Sequence, residues 1–274
     1  MIWARRGLIA FTLLFLGLFL LVPLASVLAE ALRKGAGAYF SALADPEAMS
    51  AIRLTLISAA IAVPASVLFG VSAAWAVARF RFPGKSLLVT LIDLPFAVSP
   101  VVAGLVLVLV FGMQGWLGPA LSRLGVRVIF AVPGIILATI FVSFPFVARE
   151  LIPLMQEQGD EEEQAAMLLG ASGWQIFWRI TMPKIRWGIL YGVILCSARA
   201  MGEFGAVSVV SGHIRGKTNT IPLHVEILYN EYNFVGSFAV ASLLVLVAIG
   251  TLAAKSGLEW KLRRDLRKSQ EESA

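Results

Sequence analysis

Two oppositely charged side chains lie inside an apolar stretch of the sequence. Arg199 and Glu203 are four residues apart in residues 187–211. If that segment is a helix, they lie about 18 Å and 24 Å from its start. Charges at such depth in a membrane face a bundle interior or a water-filled cavity. The pair could line a path for an anion, with Arg199 attracting the anion and Glu203 preventing tight binding. A purely structural ion pair is the alternative.

Prolines interrupt another apolar segment, residues 86–111. Pro95 and Pro100 free backbone carbonyls and bend a membrane helix, which is typical of a helix that lines a cavity. A bend that serves only packing would explain them as well. We place Ser99 and Gly104, which lie near these prolines, at the gate of the same path.

A polar stretch, GDEEEQAAMLLGASGWQIFWRITMP, separates two apolar segments at residues 159–183. We call it the coupling segment. Its first half predicts a short helix that Asp160 caps, with three glutamates in the opening turn, where the helix dipole favours negative charge. Gly170 is expected to end this helix, because glycine readily takes the left-handed conformation of a C-cap.

The second half of the coupling segment predicts another helix. Ser172 and Gln175 have the spacing of a capping box, and Pro183 is expected to stop the helix. Trp174 and Trp178 lie between them. An amphipathic segment on the lipid surface is the alternative, but such segments prefer Lys and Arg to an acidic run.

The coupling segment resembles the cytoplasmic coupling loop of ABC-type importer permeases. The family pattern is Glu-Ala-Ala, three residues, Gly, nine residues, Ile, one residue, Leu-Pro. Gln164 stands where the family has Glu, Met182 where it has Leu, and Glu163 is an open alternative for the missing charge. In that family the loop docks into a groove of a separate ATPase subunit. The resemblance implies ATPase coupling for Glu163, Gln164, Ala165, Ala166, Gly170, Ile180 and Pro183.

Composition identifies the elements that must hold these residues. Of 274 residues, 58% are hydrophobic and 15% charged, with a mean hydropathy of +0.83. Such a chain has too little polar surface for a soluble globule. Although the net charge is +6, Lys and Arg lie at the ends of apolar segments and form no stripe that would indicate nucleic acid.

The sequence therefore predicts an all-α polytopic membrane protein with six transmembrane helices. Lys and Arg favour one set of loops roughly two to one, which places both termini and the coupling segment in the cytoplasm. The expected organisation is an N-terminus at 1–6, a permease domain at 7–254 with a coupling loop at 153–187, and a basic tail at 255–274. The predicted spans are residues 7–29, 54–78, 86–111, 128–148, 187–211 and 232–254.

Two further stretches, residues 93–112 and 197–232, resemble the W-type subunit of sulfate permeases. Molybdate permeases share part of the second stretch, so molybdate or tungstate is the alternative substrate. The resemblance implies a bacterial inner-membrane heterodimer with a T-type sulfate permease subunit. It also implies an ATPase dimer that holds ATP and Mg, and an extracytoplasmic sulfate- or thiosulfate-binding protein.

An enzymatic function is disfavoured by the motifs. The stretch at residues 212–218 resembles a phosphate-binding P-loop but is one residue short between its glycines, so no cofactor or metal is expected on this chain. An intramembrane hydrolase would need a nucleophile motif or a metal site, and neither G-x-S-x-G nor H-E-x-x-H occurs. His213 and His224 are expected to be solvated loop residues.

Overall fold

The computed structural model describes the backbone of residues 2–272 and the side chains of residues 4–261. Every regular element in that part of the chain is helical, which confirms the predicted all-α class. Single π-helical turns lie at Gly17–Leu21 and Phe177–Thr181. The helices are α1 Ile2–Leu16, α2 Val22–Ala31, α3 Ala36–Leu43, α4 Pro46–Arg79, α5 Lys85–Ala97, α6 Pro100–Phe111, α7 Gly118–Arg123, α8 Val132–Glu157, α9 Glu161–Leu168, α10 Gly173–Ile176, α11 Met182–Met201, α12 Gly205–Ser211, α13 Ile221–Asn230 and α14 Phe234–Glu272.

The six predicted spans appear as four unbroken helices and two bent pairs. The bent pairs are α5 with α6, at 110°, and α11 with α12, at 51°. Helix α4, Pro46–Arg79, begins well before the predicted 54–78, and α8, Val132–Glu157, ends well after the predicted 128–148, because helical hydrogen bonding continues where hydropathy falls. Since α8 runs to Glu157, the connection between it and the following span is also shorter than the predicted loop at 153–187.

The break between α5 and α6 follows from one proline. Pro100 disfavours the helical conformation at the residue before it, and Ser99 accordingly has φ −57° and ψ 136°. Pro95 lies within α5 without ending it. The sequence predicted an interruption here, but it did not predict a turn of 110°.

The centre of the bundle is the contact between α4 and α8, with α11 packed across both. A Cβ atom at Gly70 would lie 2.6 Å from Val147 Cβ, and one at Gly188 would lie 2.4 Å from a methyl group of Leu154. Small residues let membrane helices approach closely, and packing is the main force between them in lipid. Cys196 is buried in this core.

The prediction that Pro183 ends the second helix of the coupling segment is wrong. Pro183 lies in the first turn of α11, and the chain is helical without a break from Gly173 to Met201. Because proline lacks an N–H and its ring collides with the carbonyl four residues earlier, it needs a local change in the helix. The π-helical turn Phe177–Thr181, directly before it, provides that change. The second half of the coupling segment therefore continues as one helix into the fifth span.

The loop between α12 and α13 lies at the end of the bundle opposite the coupling segment. Ile221 N donates a hydrogen bond to Thr55 Oγ1 at 2.8 Å, and Arg215 pairs with Glu47 at 3.4 Å. The expectation that both histidines are solvated is wrong for His224, which is 2% exposed on α13. Burial lowers the pKa of the His224 imidazole, because a charged ring would lose its hydration there.

Candidate functional site

The coupling segment folds as two helical pieces around one glycine. Gly170 has φ +86°, as its predicted C-cap position requires, and nothing lies within 4 Å of the place of a Cβ atom. The predicted capping box is present, since Ser172 Oγ accepts from Gln175 N and Gln175 Oε1 accepts from Ser172 N. The predicted Asp160 cap is wrong. Its backbone has φ −124° and ψ 12° instead of the extended cap conformation, and its side chain makes no cap hydrogen bond.

Glu163 points into the protein. Its Oε2 lies 2.8 Å from Arg79 Nε, and its Oε1 accepts a hydrogen bond from Thr181 Oγ1 at 2.8 Å. The two charged side chains are only 7% and 10% exposed. Arg79 also donates to Met155 O at 2.6 Å. Glu163 thus ties α9 to the end of α4 and to the π-helical turn, and Arg79 in turn holds the end of α8.

Several large apolar side chains of the coupling segment are exposed. Leu168 and Leu169 are each 89% exposed, Trp174 is 69% exposed, and Trp178 is 50% exposed. We call these four residues the coupling surface. Gln164, Ala165 and Pro183 are also exposed, while Ala166 and Ile180 are half-buried. An apolar patch with a polar surround marks an interaction site.

The bend in the fifth span places Glu203 outside a helix. Residue 203 lies between α11 and α12, where its Oε1 accepts a hydrogen bond from Ala206 N at 3.0 Å while its Oε2 pairs with Arg199. The Glu203 side chain is 1% exposed and that of Arg199 is 30% exposed. The predicted ion pair therefore exists, but its carboxylate also holds the start of α12, a structural contact that the sequence did not indicate.

The two bends touch each other. A Cβ atom at Gly205 would lie 2.8 Å from Pro100 Cβ, and one at Gly104 would lie 2.8 Å from Ala206 O. Gly104 is buried against α12, whereas Ser99 is exposed at the break itself. The structure thus brings the proposed gate residues of the third span next to the Glu203 break, although Gly104 serves close packing there.

A second charge pair escaped the sequence-based prediction. Arg149 Nε on α8 lies 2.9 Å from Asp93 Oδ1 on α5. Asp93 lies near the start of the third predicted span and Arg149 directly after the fourth, where charges need no special explanation. The sequence did contain one sign of this pair: apolar residues flank Asp93 on both sides, which indicates that its charge needs a partner.

Residues 66–257 match the family of the binding-protein-dependent transport system inner membrane component. This chain is a member of that family. The permease is 52% identical to the sulfate transport system permease protein CysW of Escherichia coli strain K12 over 270 residues, which covers 98% of this chain and 93% of that protein. It is 53% identical to CysW of Synechococcus elongatus, over 95% and 91% of the two chains. It is 36% identical to CysT of Escherichia coli strain K12, over 93% and 96%.

Solved structures support the permease fold. The permease matches a chain of a bacterial alginate ABC transporter in complex with an alginate-bound periplasmic protein, with a TM-score of 0.76. The match covers 96% of this chain and 94% of that one at 17% identity, so it shows the fold alone. Its agreement with the family match confirms the predicted importer permease architecture.

Proposed function

We propose that this chain is the membrane-spanning permease subunit of a sulfate importer, and that thiosulfate uses the same path. The observation that carries the proposal is its 52% identity to the sulfate permease CysW of Escherichia coli along nearly the full length. Identity to CysT of the same organism is 36%, which favours the W-type position in a pair of unlike subunits. A T-type subunit is therefore the proposed second permease chain.

Energy enters through the coupling surface, on which an ATPase dimer docks. The support is physical: exposed leucines and tryptophans on an otherwise polar segment need an apolar partner. ATP and Mg belong to that partner. A shift of α9 acts on α4 through Glu163 and Arg79, and a shift of α10 acts on α11 through the continuous helix.

The shifts of α4 and α11 affect the transport path at the two bends, between α5 and α6 and between α11 and α12. Helices α4 and α11 flank α8, while the breaks at Ser99 and Glu203 contact each other through Pro100 and Gly205. Repacking at this contact opens the path to one side of the membrane at a time. A sulfate-binding protein delivers the anion at the end of the bundle that holds α13, and both termini lie in the cytoplasm.

The transport test uses the assembled complex with its ATPase, second permease subunit and binding protein in proteoliposomes. Uptake of labelled sulfate is expected to require ATP and the binding protein. Unlabelled molybdate in equal excess is expected to compete poorly. Molybdate that competes as well as unlabelled sulfate would move the substrate assignment to the larger oxyanions, and ATP-independent uptake would overturn the importer.

The docking test uses paired substitutions at the coupling surface. L168E/L169E is expected to abolish co-purification of the ATPase, because two charges would enter an apolar contact. L124E is the control, since Leu124 is 76% exposed at the opposite end of the bundle. Equal ATPase retention in both variants would contradict docking at this surface. A single cysteine introduced at position 170, in a C196S background, should react with an impermeant reagent only from the cytoplasmic side.

A further inference from the structure

The pair of Asp93 and Arg149 differs from the structural pair beneath the coupling segment. Arg149 Nε and Asp93 Oδ1 are 2.9 Å apart, yet the two side chains are 56% and 40% exposed. The Arg79 and Glu163 side chains, at 2.8 Å, are 7% and 10% exposed. A pair that only joins two helices gains from being enclosed, because water and salt weaken an open pair. The first pair is open on one side.

The open side presents hydrogen-bond donors. Arg149 meets Asp93 through Nε, and among the described side chains none accepts a hydrogen bond from its two Nη groups. Its guanidinium lies 4.7 Å from the centre of the Phe96 ring, which in turn packs edge-on against Phe146 at 5.1 Å. A stacked guanidinium keeps its plane fixed, and its free fork matches the oxygens of an oxyanion.

Arg149 lies where α8 leaves the apolar part of the bundle, beside Asp93 of α5. Arg149 follows the uncharged run at 132–148 within α8, and the uncharged residues 86–92 precede Asp93 in α5. Charged side chains within a membrane domain face the bundle interior or a wet cavity. At this end of the membrane domain, the open side of Arg149 can meet water, an anion or another protein chain.

Arg199, the cation that the sequence singled out, is less available. Its partner Glu203 is 1% exposed, and that carboxylate is also fixed by Ala206 N. The partner of Arg149 is 40% exposed, and in the described part of the chain no hydrogen bond holds that partner's side chain. Arg149 can separate from Asp93 without disturbing a helix. Movement of Glu203 away from Arg199 would disturb its hydrogen bond to Ala206 N at the start of α12.

We propose that Arg149 is an anion-binding residue on the half of the path nearest the coupling segment, and that Asp93 limits its affinity. The inference rests on the proposed function, because the anion is the transported sulfate-type dianion. The dianion binds to the two Nη groups of Arg149. The Asp93 carboxylate repels the dianion, and it pairs with Arg149 again when the dianion leaves. A conducting site must bind strongly enough to admit an ion and weakly enough to release it.

The test compares R149Q, D93N and the double variant in the reconstituted complex. R149Q is expected to lower sulfate uptake on the order of tenfold, the loss of one charge-assisted contact to an anion. D93N is expected to lower uptake less, because the cation remains but releases the anion slowly. D93N/R149Q is expected to match R149Q. R33Q serves as control, since Arg33 forms an exposed pair with Glu30. Equal losses in the single variants with recovery in the double variant would show a structural pair and overturn the proposal.

A charge-rescue measurement provides a readout that a structural pair would not give. In D93N/R149C with C196S, a cationic methanethiosulfonate reagent is expected to restore uptake several-fold, and an anionic reagent is not. Sulfate is expected to slow the modification. Failure of the reagent to reach the introduced thiol in the assembled complex would show that another subunit covers Arg149, and would overturn the proposal. Wild-type complexes that carry no sulfate would instead refute the proposed function.

Discussion

Replacing Glu163 by Gln should loosen the coupling segment while leaving it folded. The substitution keeps the shape of the side chain but leaves the buried Arg79 cation without its carboxylate. Removing one partner of a buried ion pair costs about 3–5 kcal/mol. Arg79 retains its hydrogen bond to Met155 O, so we expect the lower end, about 3 kcal/mol. That loss raises the fraction of time that α9 is detached roughly 100-fold.

Two measurements check this prediction. Hydrogen exchange of the α9 amides in the assembled complex should accelerate by a similar factor, and more ATP should be hydrolysed per sulfate carried. R79Q/E163Q should recover part of the protection, because it removes the unpaired charge. T181V should cost less than E163Q, since it removes a single hydrogen bond to the carboxylate.

The neighbouring glutamate supplies a matched control. Glu162 pairs with Lys184 at 3.1 Å, but its side chain is 65% exposed. Exposed pairs contribute about 0–1 kcal/mol, so E162Q should leave exchange and coupling nearly unchanged. If E163Q and E162Q gave the same exchange rates, the argument that burial makes the Glu163 pair a mechanical link would be refuted.

Three further predictions concern single positions. G170V should raise ATP consumption per sulfate, because a β-branched residue at φ +86° costs at least about 1–2 kcal/mol, whereas G170N should be tolerated. G104V should lower the free energy of unfolding of the purified complex by about 1–3 kcal/mol, because the valine side chain would collide with Ala206 O and Val209. G37V, where nothing lies within 4 Å, should not. Finally, the folded-state pKa of His224 is lowered below its usual value of 6.5. The unfolded state therefore binds the proton more readily than the folded state, so stability falls as pH falls below about 6.5. In that pH range, the amides of α13 should lose protection from hydrogen exchange. H224Q should remove this pH dependence.

The coupling segment was predictable because its signals are local. The C-cap at Gly170 and the capping box at Ser172 and Gln175 depend on backbone conformation and on neighbours within a few residues. The prediction at Pro183 was wrong because a proline can stay within a continuous helix when a π-helical turn precedes it, and the sequence did not indicate that turn. Glu163 was ambiguous in the sequence because its partner, Arg79, lies far away along the chain.

The sequence alone determined the membrane class, the number of apolar segments and the local turns of the coupling segment, because hydropathy and turn chemistry act over short distances. Only the tertiary structure decided which charges meet and which stay open. It enclosed Glu163, fixed Glu203 at a helix start and left Arg149 accessible beside Asp93. The physical reason is that a charge's role depends on its burial and partners, and both are set by helices that are distant in the chain.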